Sequence, residues 1–224
     1  MMTKNIIGMS QQHHGLSQPC DCLKMIVNNL FPTPVAGFEL GRDLSEIERK
    51  LLFNLETRPN QGNTTSIDAN VLNKPELHSL FEFLEGALQE YFNAVYLPKT
   101  DADLRITQSW VNYTKTGQHH HKHAHPNSLV SGVFYIQATK ETDKIHFFKD
   151  NFQQLKITPK DFNLYNSESW WLAAATGTLY LFPSSLIHMV EQVKGEDTRI
   201  SLSFNTFPKG IIGDELGLTG LQLG

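Results

Sequence analysis

Hydrophobic and polar positions follow two different periods along the chain. In residues 43–56 and 75–94 apolar side chains recur every three or four positions, which predicts two amphipathic helices. Asp43 or Ser45 is expected to cap the first helix, and Pro75 suits the first helical position of the second. After residue 100 the pattern changes to short runs rich in β-branched and aromatic residues, which predict strands at residues 104–114, 128–138, 144–148, 177–183, 187–193 and 199–207.

Strands of this length and spacing are typical of an antiparallel sandwich or jelly roll. We therefore predict a mostly β fold with two flanking helices. Residues 1–29 are polar and are expected to form a flexible N-terminal extension. Residues 30–208 are expected to form a single domain, because no linker divides them. The glycine-rich residues 209–224 are expected to form a loose tail.

The composition excludes several functional classes. The chain has 224 residues and a formal net charge of −4, which argues against nucleic acid as its main partner. No apolar run approaches the roughly 18 residues of a transmembrane helix, so no membrane partner is expected. The N-terminus lacks the apolar core of a secretory signal. Cys20 and Cys22 cannot build a disulfide framework; we interpret them as inert thiols, and we expect a cytoplasmic location.

Histidine is frequent, with ten residues in the chain, and five of them fall in the run YTKTGQHHHKHAHP at residues 113–126. A purification tag would sit at a terminus, which leaves a solvated loop or a metal site. Residues i and i+2 of a strand share a face, so His123 and His125 can chelate one ion. His188, at the end of a distant predicted strand, is the candidate third ligand. Imidazole donors suit Fe, Zn, Cu or Ni.

Arg199 begins the run RISLSFN, eleven residues after His188. On a strand it would share a face with Ser201 and Ser203. A guanidinium beside a hydroxyl is a good clamp for a carboxylate, and an arginine inside a sandwich requires an anionic partner. The alternative is an arginine at a strand edge that faces water.

These spacings resemble the iron(II)- and 2-oxoglutarate-dependent oxygenases. Their usual pattern is HxD or HxE, a distal His and, about ten residues later, Arg-x-Ser. Here the corresponding residues are His123 and His125, His188, and Arg199 with Ser201. The strings HxHPNSxxSGVFYI, GTLYLFPSxxxH and RISxSFN are most similar to an oxygenase subfamily of marine bacteria and their phages. The resemblance covers roughly residues 30–208 and implies a double-stranded β-helix, the cupin-like jelly roll.

The resemblance also implies roles for individual residues. His123, His125 and His188 would hold Fe(II), while Arg199 and Ser201 would bind the far carboxylate of 2-oxoglutarate. Further contacts with this co-substrate are expected from Asn112 and Tyr135; the alternative for Tyr135 is a half-buried strand residue without such a contact. The position of the usual carboxylate ligand is occupied by His125, which leaves the ion with one more positive charge. An alternative carboxylate ligand is Asp150.

The implied activity is that of a dioxygenase that uses Fe(II), 2-oxoglutarate and O₂ and releases succinate and CO₂. Hydroxylation of a C–H bond is the expected outcome, on a small molecule or a protein side chain that the sequence does not specify. One alternative is a cupin-like dioxygenase with three histidine ligands that does not use 2-oxoglutarate. Another is a jelly roll that binds a metal or ligand without catalysis.

Overall fold

A computed structural model of the chain describes residues 25–149, 155 and 157–224. The predicted positions Cys20, Cys22 and Asp150 lie outside the described residues. The chain divides into two units, Met1–Pro32 and Thr33–Gly224. In the first unit, the described residues 25–32 contain no helix or strand. All helices and strands described below belong to the second unit.

Two helices form where the apolar periodicity predicts them. Helix α1 (Glu46–Phe53) begins with a capping box: Glu48 N–H donates to Ser45 Oγ at 3.2 Å, and Ser45 N–H donates to the Glu48 carboxylate at 2.7 Å. A 3₁₀ turn at Pro75–Leu77 leads into helix α2 (His78–Tyr96). Leu97, in the left-handed conformation with φ of 46°, ends α2.

The strands form two antiparallel sheets, as expected for a jelly roll. The strands are β1 (Ala36–Glu39), β2 (Thr57–Pro59), β3 (Thr64–Ser66), β4 (Asp103–Thr114), β5 (His120–His123), β6 (Val130–Gln137), β7 (Lys144–Phe148), β8 (Ser169–Ala173), β9 (Thr178–Pro183), β10 (His188–Val190), β11 (Arg199–Ile212) and β12 (Leu221–Leu223). The larger sheet has the order β1-β9-β6-β11-β4-β3-β2, with β12 also paired to β11, and the smaller sheet has the order β5-β10-β7-β8.

Two apolar clusters cover the two faces of the larger sheet. On β6, Phe134 packs into a cluster that contains helix residues such as Leu84 and Leu88. Its neighbours Val133 and Tyr135 point the other way, into a cluster with Phe147 of β7 and other residues of both sheets. Because successive side chains of a strand alternate between faces, β6 is buried along nearly its whole length. The second cluster lies beside the candidate site.

The C-terminal segment differs from the expectation of a loose tail. Strand β11 continues past residue 208 to Ile212, and β12 pairs with its end. Lys209 also forms an ion pair with Asp103 of β4 at 2.9 Å. The backbone pairing of β4 with β11 continues past the predicted domain boundary at residue 208, so the chain stays in a strand there.

None of the helices among the described residues is long and apolar enough to cross a membrane.

Candidate metal centre

Three histidines meet where the smaller sheet borders the cavity between the sheets. His123 ends β5 and pairs directly with His188, the first residue of β10. His125 follows two residues after β5, and its backbone N–H donates to Ser184 O at 2.9 Å. The antiparallel pairing thus brings together side chains that are far apart in the sequence.

The ring nitrogens of these histidines converge on one point. One donor atom from each of His123, His125 and His188 lies within 4.8 Å of the others. The Nε2 atoms of His125 and His188 are 3.3 Å apart. Two nitrogens bound to one ion at about 2.1 Å, with an angle between 90° and 110°, lie about 3.0–3.4 Å apart. The donor set therefore fits a single transition-metal ion.

Backbone carbonyls orient two of the rings. His123 Nδ1 lies 2.7 Å from His121 O, and His188 Nδ1 lies 2.9 Å from Leu186 O. A carbonyl can only accept, so each Nδ1 carries the proton and each Nε2 keeps its lone pair. This is the usual support of a metal-binding histidine.

Burial keeps these imidazoles neutral. It lowers the pKa of His188 to about 3 and that of His125 to about 4, and the neighbouring imidazoles contribute to both shifts. The pKa of His123 is also lowered, mainly by burial. At neutral pH all three side chains are therefore in the form that binds a metal ion.

The opposite wall of the cavity belongs to the larger sheet. Arg199, Ser201 and Ser203 share one face of β11 and line the cavity together with the three imidazoles. Ser201 pairs with Asn112 of β4 on one side and with Tyr135 of β6 on the other. The register therefore places Arg199, Ser201, Asn112 and Tyr135 side by side.

Several polar atoms of this wall have no hydrogen-bond partner among the described residues. Arg199 is 3% exposed, and within the described part of the chain it forms no ion pair and its Nε has no hydrogen-bond partner. The Tyr135 hydroxyl and Asn112 Oδ1 are likewise buried without a partner among the described residues. Buried polar groups are normally satisfied, and an unpaired buried charge is costly. The wall thus fits a bound anion with hydrogen-bonding oxygens.

The aromatic side chains near the cavity differ in their exposure. Tyr135 is fully buried, and its ring centre lies 5.0 Å from the Arg199 guanidinium carbon. Burial raises the pKa of Tyr135 to about 12, so the hydroxyl remains a donor. Trp110 lines the cavity, whereas Trp170 and Trp171 are 42% and 46% exposed on the edge strand β8.

One histidine that lines the cavity was not predicted from the sequence. His120 lines the cavity, and its ring stacks on His123 with centres 4.6 Å apart. The pairing of β5 with β10 shifts register between His188 and Val190. Such an irregularity turns both His120 and His123 to the cavity although they are three positions apart. The strict alternation of a regular strand does not predict it.

Comparison with known proteins supports the oxygenase resemblance. Residues 108–205 match the sequence model of a family described as "Putative 2OG-Fe(II) oxygenase". This segment contains every residue of the candidate site. No curated protein matches the sequence.

Solved structures share the fold at low sequence identity. A 2OG-Fe(II) oxygenase family oxidoreductase from Burkholderia pseudomallei is 16% identical, with a TM-score of 0.53 over 77% of this chain and 83% of that one. HygX from Streptomyces hygroscopicus, solved with nickel, 2-oxoglutarate and hygromycin B, is 14% identical, with a TM-score of 0.55 over 78% and 82%.

A Pseudomonas putida prolyl-4-hydroxylase is also similar, at 14% identity and a TM-score of 0.51 over 77% of this chain and 92% of that one. At these identities the likeness concerns the fold. The match over residues 108–205 adds a sequence similarity to 2OG-Fe(II) oxygenases in the segment that contains the candidate site.

Proposed function

We propose that the protein is an Fe(II)- and 2-oxoglutarate-dependent dioxygenase that hydroxylates a C–H bond. Per turnover, the substrate, 2-oxoglutarate and O₂ would yield the hydroxylated product, succinate and CO₂. Fe(II) would be held by His123, His125 and His188. Bound iron, with 2-oxoglutarate and O₂, supplies the oxidising chemistry, and the protein supplies binding, orientation and a shielded cavity.

The observation that carries this proposal is the unpaired Arg199. Its guanidinium lies in the same cavity as the three imidazoles and has no ionic partner among the described residues. A dicarboxylate such as 2-oxoglutarate would suit both ends of this cavity: Arg199 would pair with one carboxylate, and His123, His125 and His188 would hold the metal ion that binds the other end. A neutral ligand would leave the guanidinium buried and unpaired.

Neighbouring side chains would complete the co-substrate site. The Ser201 and Tyr135 hydroxyls can donate to the carboxylate that Arg199 holds. The Asn112 amide donates to Ser203 Oγ at 3.4 Å, a weak bond that a ligand can replace. Charge-assisted hydrogen bonds of this type fix both the position and the orientation of an anion.

The proposed substrate class is a small molecule or a protein side chain. Among the structural neighbours, HygX was solved with hygromycin B bound, and another neighbour is a prolyl-4-hydroxylase. The ring centres of Trp110 and His125 are 5.6 Å apart. Trp110 would therefore contact a substrate that approaches the ion.

A second candidate function is favoured by the donor set. Three imidazoles without a carboxylate also occur in cupin-like dioxygenases that do not require 2-oxoglutarate, and His125 stands at the position of the usual carboxylate. This alternative, like a jelly roll that binds a metal without catalysis, assigns no role to the charge of Arg199.

An anaerobic titration of the metal-free protein with Fe(II) and 2-oxoglutarate distinguishes these functions. The proposal predicts a saturable visible absorption band from the iron–2-oxoglutarate chelate. Iron binding without the band would support the three-histidine dioxygenase. Absence of iron binding would contradict both and leave the non-catalytic jelly roll.

A further inference from the structure

A second group of imidazoles surrounds the same His123. One donor atom from each of His120, His121 and His123 lies within 4.8 Å of the others. The ring centres are 5.2 Å apart for His120 and His121, 4.6 Å for His120 and His123, and 4.7 Å for His121 and His123. The group is half-buried and belongs entirely to β5.

Two members of this group have nitrogen atoms free to bind a ligand. The Nδ1 atom of His121 is buried and has no hydrogen-bond partner among the described residues. In the same part of the chain, the His120 side chain forms no hydrogen bond or ion pair. Lys122 lies between His121 and His123 in the sequence, but its ammonium group lies over the Phe148 ring, 3.9 Å from the ring centre. Its positive charge therefore does not point at an ion bound by the three histidines.

The two groups compete for one atom. His123 Nδ1 is occupied by its hydrogen bond to His121 O at 2.7 Å, so Nε2 is the atom through which His123 binds a metal. A single nitrogen lone pair binds one ion at a time. An ion held by His120, His121 and His123 therefore excludes His123 from the group with His125 and His188.

We propose that His120, His121 and His123 form a second site for a divalent transition ion such as Ni²⁺, Cu²⁺ or Zn²⁺, and that its occupation excludes the first site. Three imidazoles and no carboxylate suit these ions, which bind nitrogen ligands more tightly than Fe²⁺ does. Small side-chain rotations, which bring nitrogen atoms that now lie within 4.8 Å of one another to the roughly 3.0–3.4 Å of a metal site, would complete the coordination. The proposal concerns metal binding alone and does not depend on the proposed dioxygenase activity.

The physical consequence is that the protein could hold an ion at the second site, away from His125 and His188. An ion at the second site occupies the His123 nitrogen that the first site needs. Excess Ni²⁺ or Zn²⁺ is therefore expected to displace Fe²⁺ both by direct competition at the first site and by removal of His123 from it.

Isothermal titration of the full chain with Ni²⁺, after removal of metals by a chelator, tests the second site. The double variant His125→Ala/His188→Ala lacks two ligands of the first site and keeps the second group. It is expected to bind one Ni²⁺ per chain, no more than about tenfold more weakly than the wild type. Addition of His121→Ala to this variant should weaken binding by at least a further hundredfold, or about 2.7 kcal/mol.

Two results would overturn the proposal. One is a double variant that binds Ni²⁺ no more tightly than the triple variant with His121→Ala. The other is a wild-type chain that binds two Ni²⁺ ions with similar affinity, since the sites would then not exclude each other. The variant His78→Ala, which removes an exposed imidazole from α2, is the control for incidental histidine binding and should match the wild type.

A milder pair of substitutions covers the case in which alanine prevents folding. His125→Asn/His188→Gln keeps polar side chains of similar size, and circular dichroism establishes that it is folded. In crystals of this variant soaked with Ni²⁺, anomalous scattering should locate the ion beside His120 and His121. A folded variant with no ion there would also contradict the proposal.

Discussion

Arg199 is a buried arginine that forms no ion pair among the described residues. It is a guanidinium on a central strand of a buried wall, and the residues beside it supply hydroxyl and amide groups in place of a carboxylate. A folded protein tolerates such a group when a ligand pairs with it in the working state. On the proposed function, the charge would contribute to binding at a cost to the stability of the ligand-free protein.

Replacement of this residue by alanine should separate the two effects. Arg199→Ala is expected to weaken 2-oxoglutarate binding by at least about thirtyfold, because truncation of a buried charged partner costs about 2 kcal/mol or more. Fe(II) affinity should change little, and the ligand-free variant should melt no lower than the wild type. Anaerobic titration with 2-oxoglutarate at saturating iron, combined with thermal melts, measures all three.

The exposed Arg105 on β4 offers a matched control, since Arg105→Ala removes the same charge away from the cavity. It should leave 2-oxoglutarate binding unchanged. If Arg199→Ala binds 2-oxoglutarate like the wild type, Arg199 does not hold the co-substrate.

The spacing of single residues predicted much of the site. His123, His125 and His188 were selected from ten histidines, and Arg199 with Ser201 from a strand pattern, and the structure brings all five to one cavity. Their roles as ligands stay predictions until metal and co-substrate are bound. His120 escaped prediction because its inward position depends on the irregular pairing of β5 with β10, which no local pattern encodes.

Individual elements were predictable where their pattern was long. The apolar stripe of α2 and the β-branched runs of β4, β6 and β11 define these elements clearly. The short strands β2 and β3, of three residues each, were not among the predicted strands, because three residues carry too little pattern to indicate a strand. Strand β5 contains only histidine and lysine, so its extended form comes from pairing with β10 and not from propensity.

Within β6, Gly132 is required by the close packing of its neighbour on β11. A Cβ atom at this position would lie 2.2 Å from the Phe204 ring. Gly132→Ala is therefore expected to lower the free energy of unfolding by about 1–3 kcal/mol, the usual cost of overpacking a core. Urea denaturation followed by circular dichroism measures the change.

The same substitution in α2 should act in the opposite direction. Gly86 is an exposed helix residue with open space around the position of a Cβ atom. Gly86→Ala is expected to stabilise the protein by up to about 1 kcal/mol through helix propensity. Equal effects of the two substitutions would show that packing against Phe204 does not determine the need for glycine.

At the scale of the whole molecule, the buried imidazoles couple stability to pH. The pKa values of His188 and His125 are lowered to about 3 and about 4 in the folded protein, whereas unfolded histidine titrates near 6.5. Between these values the unfolded chain binds more protons than the folded one. The metal-free protein should therefore lose stability as pH falls from about 6.5 to about 4, by up to about 1.4 kcal/mol per pH unit for each such histidine.

Denaturation of the metal-free protein at a series of pH values measures this dependence. The variant His188→Gln lacks one of the titrating groups and should show a shallower slope below pH 6.5. An equal slope in both proteins would mean that His188 binds its proton equally well in the folded and unfolded states.

The placement of the candidate ligands on the smaller sheet has a consequence for local unfolding. Strands β5 and β10 contribute imidazoles where other strands contribute apolar side chains, so little hydrophobic burial holds them in place. Without a bound ion, their backbone amides should exchange with deuterium faster than those of β6 and β11. A bound ion would join residues 123 and 188, more than sixty positions apart, and slow this exchange selectively. The ion would then stabilise β5 and β10 in place of apolar packing, and slower amide exchange in these two strands would show that it is bound.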